Sequence, residues 1–433
     1  MSQLAKWVER VGGRWRDDAL LRNFGWLGLG ELVVRLSRLV TAIVLARTLA
    51  PLELGLAASA MACFEIVRVF AGNGLTQKVI RATDERLEAT CNAAWAIAWL
   101  LCGGMLVLHL LIGVGLAVVL DRPQLGLLVA ALGAVFLFVP CGVIQGALLL
   151  RDGRIGTVAT IGTTQTASDN ILVALLALLG FGPWAIVLPK LLSAPIWLVG
   201  VRWMRPWHRH PEAGHVPWPD VWRYILPVIG SELLVAARMN LDKILVGAIL
   251  GLNALGIYYF AFNAGYGLSI ILTGALASAS FPHFADAAIS HADRLARFDK
   301  ALRRLALPIA ALIALQAALV SVYVPVLFGA RWEPHLPIVA VLCLSAVSKP
   351  FFDLSCQLLR ATGRPGLELQ GSLALSLAML SAFAVALPFG LMAGVVTLAV
   401  VALVLQVVFT AWARSRAGAI APAGHAAMMG AGA

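Results

Sequence analysis

The chain has 433 residues, of which 61% are hydrophobic and 13% charged; its net charge is +11 and its mean hydropathy +0.88. Soluble domains carry about 25% charged residues, so this composition excludes an ordinary soluble globular protein. The apolar residues fall in long runs, and about 20 such residues cross a bilayer core as a helix, since backbone groups in lipid must be satisfied within the segment.

Residues 1–22 contain acids and a Gly12–Gly13 break before any apolar core, which does not fit a secretory signal. Leu4, Trp7, Val8, Val11 and Trp15 share one helical face with basic neighbours, as in an interfacial helix or a solvated basic tail. Twelve spans follow, at roughly 25–47, 54–77, 91–119, 124–150, 156–180, 184–201, 224–250, 255–282, 305–327, 336–359, 367–388 and 391–412. Of 33 Lys and Arg, 23 fall on one side of these spans; only Arg47, Arg122 and Arg331 fall on the other. This bias predicts that both termini are cytoplasmic. It also accounts for most of the basic charge without nucleic acid. The predicted outer loops are short and leave no room for a catalytic domain.

The second half echoes the first. Ile43–Gly55 matches Ile244–Gly256 in apolar rhythm and in its closing Leu-Gly. Leu149-Leu-Arg-Asp-Gly-Arg154 matches Leu359-Arg-Ala-Thr-Gly-Arg364, and Leu179-Gly-Phe-Gly182 matches Leu387-Pro-Phe-Gly390. Three matches in one order at span boundaries predict a duplication. Halves of six spans share an orientation and are expected as parallel repeats. The expected organisation is an amphipathic segment 1–22, an N-lobe 23–204, a cytoplasmic loop 205–221, a C-lobe 222–412 and a tail 413–433.

Several predicted spans carry charge, which is costly at bilayer depth and normally faces a cavity or a partner. Glu31, Arg35 and Arg38 form one stripe on the first span, and Glu65 and Arg68 are neighbours on the second. The fifth holds Asp169 beside Asn170 and Gln165; the sixth holds Lys190 beside Pro189. The seventh has Glu232, Arg238, Asp242 and Lys243, and the tenth Lys349 and Asp353. The cationic-cavity candidates are Arg35, Arg38, Arg68, Arg238, Lys190 and Lys349. The candidates for ion coupling or internal pairing are Glu31, Glu65, Asp169, Asp242 and Asp353. These spans hold seven bases and six acids, so the buried charge is nearly balanced. Tyr258, Tyr259, Asn263 and Tyr266 on the eighth span are glycan-contact candidates, although ordinary packing is the favoured account of them. Gly142–Gly146 and Gly247–Gly251 are GxxxG packing signals. No nucleotide-binding, zinc or hydrolase motif occurs, and no cofactor is expected. The six cysteines form no CxxC pair, and the Trp207–His215 loop reads as a solvated basic loop rather than a metal site.

Leu45-Ala-Arg-Thr-Leu-Ala-Pro-Leu-Glu-Leu-Gly55 resembles the first-loop pattern of polysaccharide exporters and lipid-linked oligosaccharide flippases. Leu241–Tyr258, Phe281-Pro282, Leu327-Phe-Gly-Ala-Arg-Trp332 and Leu359–Arg364 resemble further family patterns in the family's order. The resemblance runs from about 22 to 412. It implies an all-α integral membrane fold of the multidrug/oligosaccharidyl-lipid/polysaccharide exporter (MOP) superfamily, with two six-helix lobes around a V-shaped cavity. It further implies a non-enzymatic flippase in a bacterial inner membrane, moving polyprenyl-pyrophosphate-linked glycans by alternating access. Cavity arginines would hold the pyrophosphate, with Arg35, Arg38, Arg68 and Arg238 in the matching positions. H⁺ or Na⁺ and a polysaccharide polymerase or export machinery are possible partners. The rivals are a drug/cation antiporter of the same superfamily, a membrane glycosyltransferase or polymerase, and a non-transporting scaffold. The excess of bases disfavours the first, the short loops the second, and the buried charges the third.

Overall fold

The computed structural model describes residues 19–71, 73–267 and 291–418, together with Ser269, Thr273, Leu276, Ser280 and Phe284; the side chains of residues 19–29, Glu31, Leu32, Asn73, His291 and Gly418 lie outside that description. The described secondary structure is helical throughout. The backbone clusters into two compact units, 1–244 and 245–433.

Unit 1 contains α1 (Ala19–Thr48), α2 (Pro51–Val67), α3 (Asn73–Ile80), α4 (Leu87–Val118), α5 (Pro123–Gly133), α6 (Val143–Arg151), α7 (Ile155–Leu178) and α8 (Trp184–Met204). It also takes in most of α9 (Trp218–Ile249). Val221 and Ile225 of α9 are fully buried against Leu75, Val79, Ala94 and Ile97, which ties the start of this helix to unit 1. The start of α2 is chemically marked. Pro51 opens α2, where its missing N–H costs nothing. Glu53 at the third helical position accepts from the Ala50 N–H at 2.7 Å, closing the entry turn. The residues of the Leu45–Gly55 pattern therefore form a capped interhelical turn. α4 and α5 cross at Gly113 and Gly126: a Cβ on Gly113 would lie 2.7 Å from the Gly126 carbonyl, and the reciprocal approach is closer still.

Unit 2 contains α10 (Gly251–Ala261), α11 (His291–Ala301), α12 (Leu307–Ala318), α13 (Val320–Phe328), α14 (Leu336–Ser345), α15 (Lys349–Ala361), α16 (Pro365–Ala386) and α17 (Leu391–Gly418). Its core has stacked aromatic anchors. Trp332, from the Leu327–Trp332 pattern, is 1% exposed and stacks on Phe260 at 3.7 Å.

Two turns matched in sequence are also alike in backbone detail. In one turn Asp152, Gly153 and Arg154 donate to the carbonyls of Leu148, Leu150 and Leu149; in the other Thr362, Gly363 and Arg364 donate to Leu358, Arg360 and Leu359. Both glycines have φ +73°, the left-handed conformation that closes a helix end. Arg154 then reaches the Met204 carbonyl at the end of α8 at 3.0 Å, and Arg364 reaches the Arg416 carbonyl in the last turn of α17. Each arginine supplies a cationic donor to helix C-terminal carbonyls, where it is favourable.

Among the described residues, nine helical segments are long and apolar enough to cross a membrane. Three expected spans fall outside that set. The eighth runs through residues outside the description. The first carries Glu31, Arg35 and Arg38, and the fifth carries the Thr163–Asn170 polar tract. Two expected spans are also broken. α2 unwinds through a 3₁₀ turn, Arg68–Ala71, before α3. α5 unwinds through 134–141, where Pro140 removes a donor, before α6 begins. In a membrane, irregular backbone is tolerated where it lines a cavity.

Candidate functional site

Those two breaks meet at a cavity of about 760 Å³ within unit 1. Arg68, Val69 and Ala71 from the first break, with Val135, Phe138 and Val139 from the second, form part of its wall. α7 contributes Gln165, Thr166 and Asp169; α8 contributes Lys190, Ser193 and Trp197; α1 contributes Arg38 and α9 Glu232.

The cavity gathers three of the six expected cations. Arg68 donates through Nη2 to Glu65 Oε2 at 2.7 Å, one turn back on the same wall. Lys190 Nζ lies 2.5 Å from Asp169 Oδ2, joining α8 to α7. Asp169 is 5% exposed, and its second oxygen, Oδ1, has no hydrogen-bond partner among the described residues. Arg38 and Glu232 form no ion pair among the described residues. The formal charge of these six groups sums to zero. Their deployment is uneven, because two cations are committed to carboxylates and one guanidinium faces the cavity uncommitted.

α1 and α7 pack along one another and are pinned by side chains. Thr41 Oγ1 donates to the Asn170 carbonyl at 2.8 Å, and Asn170 Nδ2 donates to Ser37 Oγ at 2.9 Å. Gly30 lets Thr163 approach, since a Cβ there would meet Thr163 Oγ1 at 2.8 Å. The polar tract of α7 thus has two jobs. One face holds α1, and another turns Gln165, Thr166 and Asp169 to the cavity.

The remaining expected residues lie elsewhere. Arg35 is half-buried on α1, and the Glu31 side chain lies outside the description. Arg238 is exposed on α9, and Asp242 accepts from its neighbour Lys243 at 3.2 Å. Lys349 and Asp353 form a pair at 2.8 Å inside unit 2. Tyr258 is fully buried against Phe383, Tyr259 is half-buried, and Asn263 donates back to the Tyr259 carbonyl. Tyr266 is half-buried on the π-helical turn Phe262–Gly267. The 205–217 loop is docked on the start of α4: Trp207 Nε1 donates to Glu88 at 3.0 Å, and Asn92 donates to the carbonyls of His210 and Gly214. His210 Nδ1 sits 3.1 Å from Glu212. The Glu212 carboxyl is held below its ordinary pKa by backbone hydrogen bonding first and by His210 second.

Residues 44–337 match the model of a family described as polysaccharide biosynthesis protein. The chain belongs to this family. A curated relative is the succinoglycan biosynthesis transport protein ExoT of Rhizobium meliloti (strain 1021), 24% identical over 330 residues. That match covers 75% of this chain and 65% of the relative, so the chain spans just under two thirds of its length. In fold, the chain is similar to an inward-facing multidrug resistance MATE transporter of the MOP superfamily, with a TM-score of 0.68 at 16% identity, covering 92% of this chain and 96% of that one. It is also similar to the lipid II flippase MurJ, with a TM-score of 0.67 at 11% identity, covering 89% and 86%. The fold of this family member is therefore that of MOP-superfamily membrane transporters.

Trp197 was not legible as a cavity residue from the sequence. Its signal was position: Lys190, Ser193 and Trp197 recur at i, i+3 and i+7 along one face of α8.

Proposed function

We propose that this chain carries a polyprenyl-pyrophosphate-linked oligosaccharide from the cytoplasmic to the outer leaflet of a bacterial inner membrane. It does so without chemistry, by alternating access of two six-helix halves with both termini in the cytoplasm. The observation that carries this reading is the uncommitted Arg38 in a membrane-embedded cavity beside Arg68 and Lys190, in a chain of the polysaccharide biosynthesis family. Guanidinium groups bind phosphate oxygens in bidentate fashion, and a diphosphate brings enough charge to compete with Glu65 and Asp169 for their partners. A transport protein for succinoglycan biosynthesis and a lipid II flippase among its likenesses support the same substrate class.

In this reading Arg38, Arg68 and Lys190 hold the diphosphate, with Arg35, Arg238 and Lys349 as further cations along the path. Tyr259, Asn263 and Tyr266 are glycan contacts in unit 2. H⁺ or Na⁺ drives the cycle through one of the carboxylates, and a polymerase or export complex receives the product. The test is reconstitution in proteoliposomes with a fluorescent polyprenyl-diphosphate oligosaccharide and a quencher outside. Wild-type protein is expected to equilibrate the leaflets, and Arg38→Ala to slow this at least tenfold. A wild-type rate equal to that of protein-free vesicles overturns the proposal.

A further inference from the structure

The cavity has an aromatic wall that the diphosphate reading leaves unused. Trp197 lines it from α8. Its indole is seated by glycines from two neighbouring helices. A Cβ on Gly142 would lie 3.3 Å from Trp197 Cδ1 and Nε1, and one on Gly146 3.2 Å from Cζ2; one on Gly162 would meet Cζ3 at 3.8 Å. The Gly142–Gly146 pair, which the sequence offers as a helix-packing motif, is therefore the bed of a side chain. The ring lies against backbone at all three glycines.

Three features make this ring a binding platform and not mere packing. First, Trp197 is only half-buried, and its indole N–H donates to no partner among the described residues; nor is that atom among the buried unsatisfied ones. A buried indole N–H ordinarily finds an acceptor. Secondly, it stands seven residues from Lys190, on the same face of α8, which places it about 10 Å further along the helix. Thirdly, Gln165, Thr166 and Ser193 line the same cavity and bring an amide and hydroxyl groups to it. A flat apolar ring with one free donor, edged by an amide and hydroxyls, is complementary to a pyranose. Such a sugar offers a C–H face and a rim of hydroxyls.

We propose that Trp197 is the sugar-stacking platform of this cavity, reading the saccharide next to the diphosphate held at Arg38, Arg68 and Lys190. The inference rests on the transport reading above and adds to it a second, uncharged subsite in unit 1. Stacking on a C–H face tolerates epimers, so a glucose probe reports on it whatever the natural sugar is.

The experiment measures binding of two probes to purified full-length protein: farnesyl diphosphate, and the same molecule carrying one glucose. Wild type is expected to bind the glucosylated probe more tightly. Trp197→Ala should remove that sugar-dependent gain, weakening the glucosylated probe about tenfold while leaving farnesyl diphosphate unchanged. Trp197→Phe, which keeps a ring on the glycine bed, should retain most of the gain and controls for folding. If Trp197→Ala weakens both probes equally, or neither, the platform is overturned while the transport reading stands. If wild type binds neither probe, the transport reading falls and takes this inference with it.

Discussion

Gly153 and Gly363 close their helices at the same φ, with the same three backbone hydrogen bonds and the same arginine reach to a later helix end. Around these matching turns the two units use their polar residues differently. In unit 1 the interior opens: Arg38, the Glu65–Arg68 pair, the Asp169–Lys190 pair and Glu232 share one cavity. In unit 2 the polar groups close on one another. Lys349 pairs with Asp353, Ser348 donates to Gln406 at 2.9 Å, and Gln316 donates to the Gly265 carbonyl at 3.1 Å. Tyr323 donates to the Ala264 carbonyl at 3.0 Å, so the π-helical turn is served by side chains from α12 and α13. Matching turns and helix ends thus sit beside different chemistry in the two units.

The sharpest break of this contrast is charge reversal. Arg38→Glu is expected to abolish leaflet exchange of the labelled lipid-linked oligosaccharide, at least a hundredfold below wild type, with unchanged thermal unfolding in detergent. Retained exchange would move the site out of unit 1. Next in size is Asp169→Ala, which leaves the Lys190 ammonium without its partner. Because Lys190 keeps some solvent access, the cost is set at about 2–3 kcal/mol, at the lower edge of that for a fully buried pair. Asp169→Leu with Lys190→Met together should recover most of that loss in unfolding experiments; no recovery would mean the pair is not the unit that matters.

Gly126→Ala should cost about 2 kcal/mol by forcing α4 and α5 apart, since the obstacle is a backbone carbonyl that cannot rotate away. Gly146→Ala meets only the rim of Trp197 and is expected to cost less than half as much. Equal costs would mean that the helix crossing is softer than it looks. The smallest effects test the likeness of the units. Arg154→Ala and Arg364→Ala should each lower stability by less than about 1 kcal/mol, and by similar amounts. A clear inequality would show that the shared turn geometry hides different loads.

Much of the fold was legible because membrane helices announce themselves. Apolar runs and Pro or Gly at the junctions located α4, α8 and α16 to within four residues, and the start of α17 at Leu391. The matched hexapeptides located the two like turns. What escaped was the continuity of helices: 124–150 is apolar except for Gln124 and Gln145, and only the local geometry at Pro140 and Gly142 shows that it breaks. Pairing was also only partly legible. Glu65–Arg68 and Lys349–Asp353 follow helical spacing, but Asp169 and Lys190 lie 21 residues apart on different helices, and no periodicity joins them. Trp197 escaped because a tryptophan in an apolar helix is unremarkable until its glycine seat is seen.

The seam between α1 and α7 carries a consequence for biogenesis. Neither helix is apolar enough to be counted among the nine crossing segments, and each satisfies polar groups on the other through Ser37, Thr41 and Asn170. Yet α7 is synthesised more than a hundred residues after α1 ends. A nascent α1, with Arg35 and Arg38 on it, must therefore wait in a protein-lined or watery environment until its mate arrives. Insertion of this chain is in that sense expected not to be sequential: α1 is completed by α7. Truncation before Ile155 should leave α1 accessible to aqueous cysteine-labelling reagents, and extension past Leu178 should protect it.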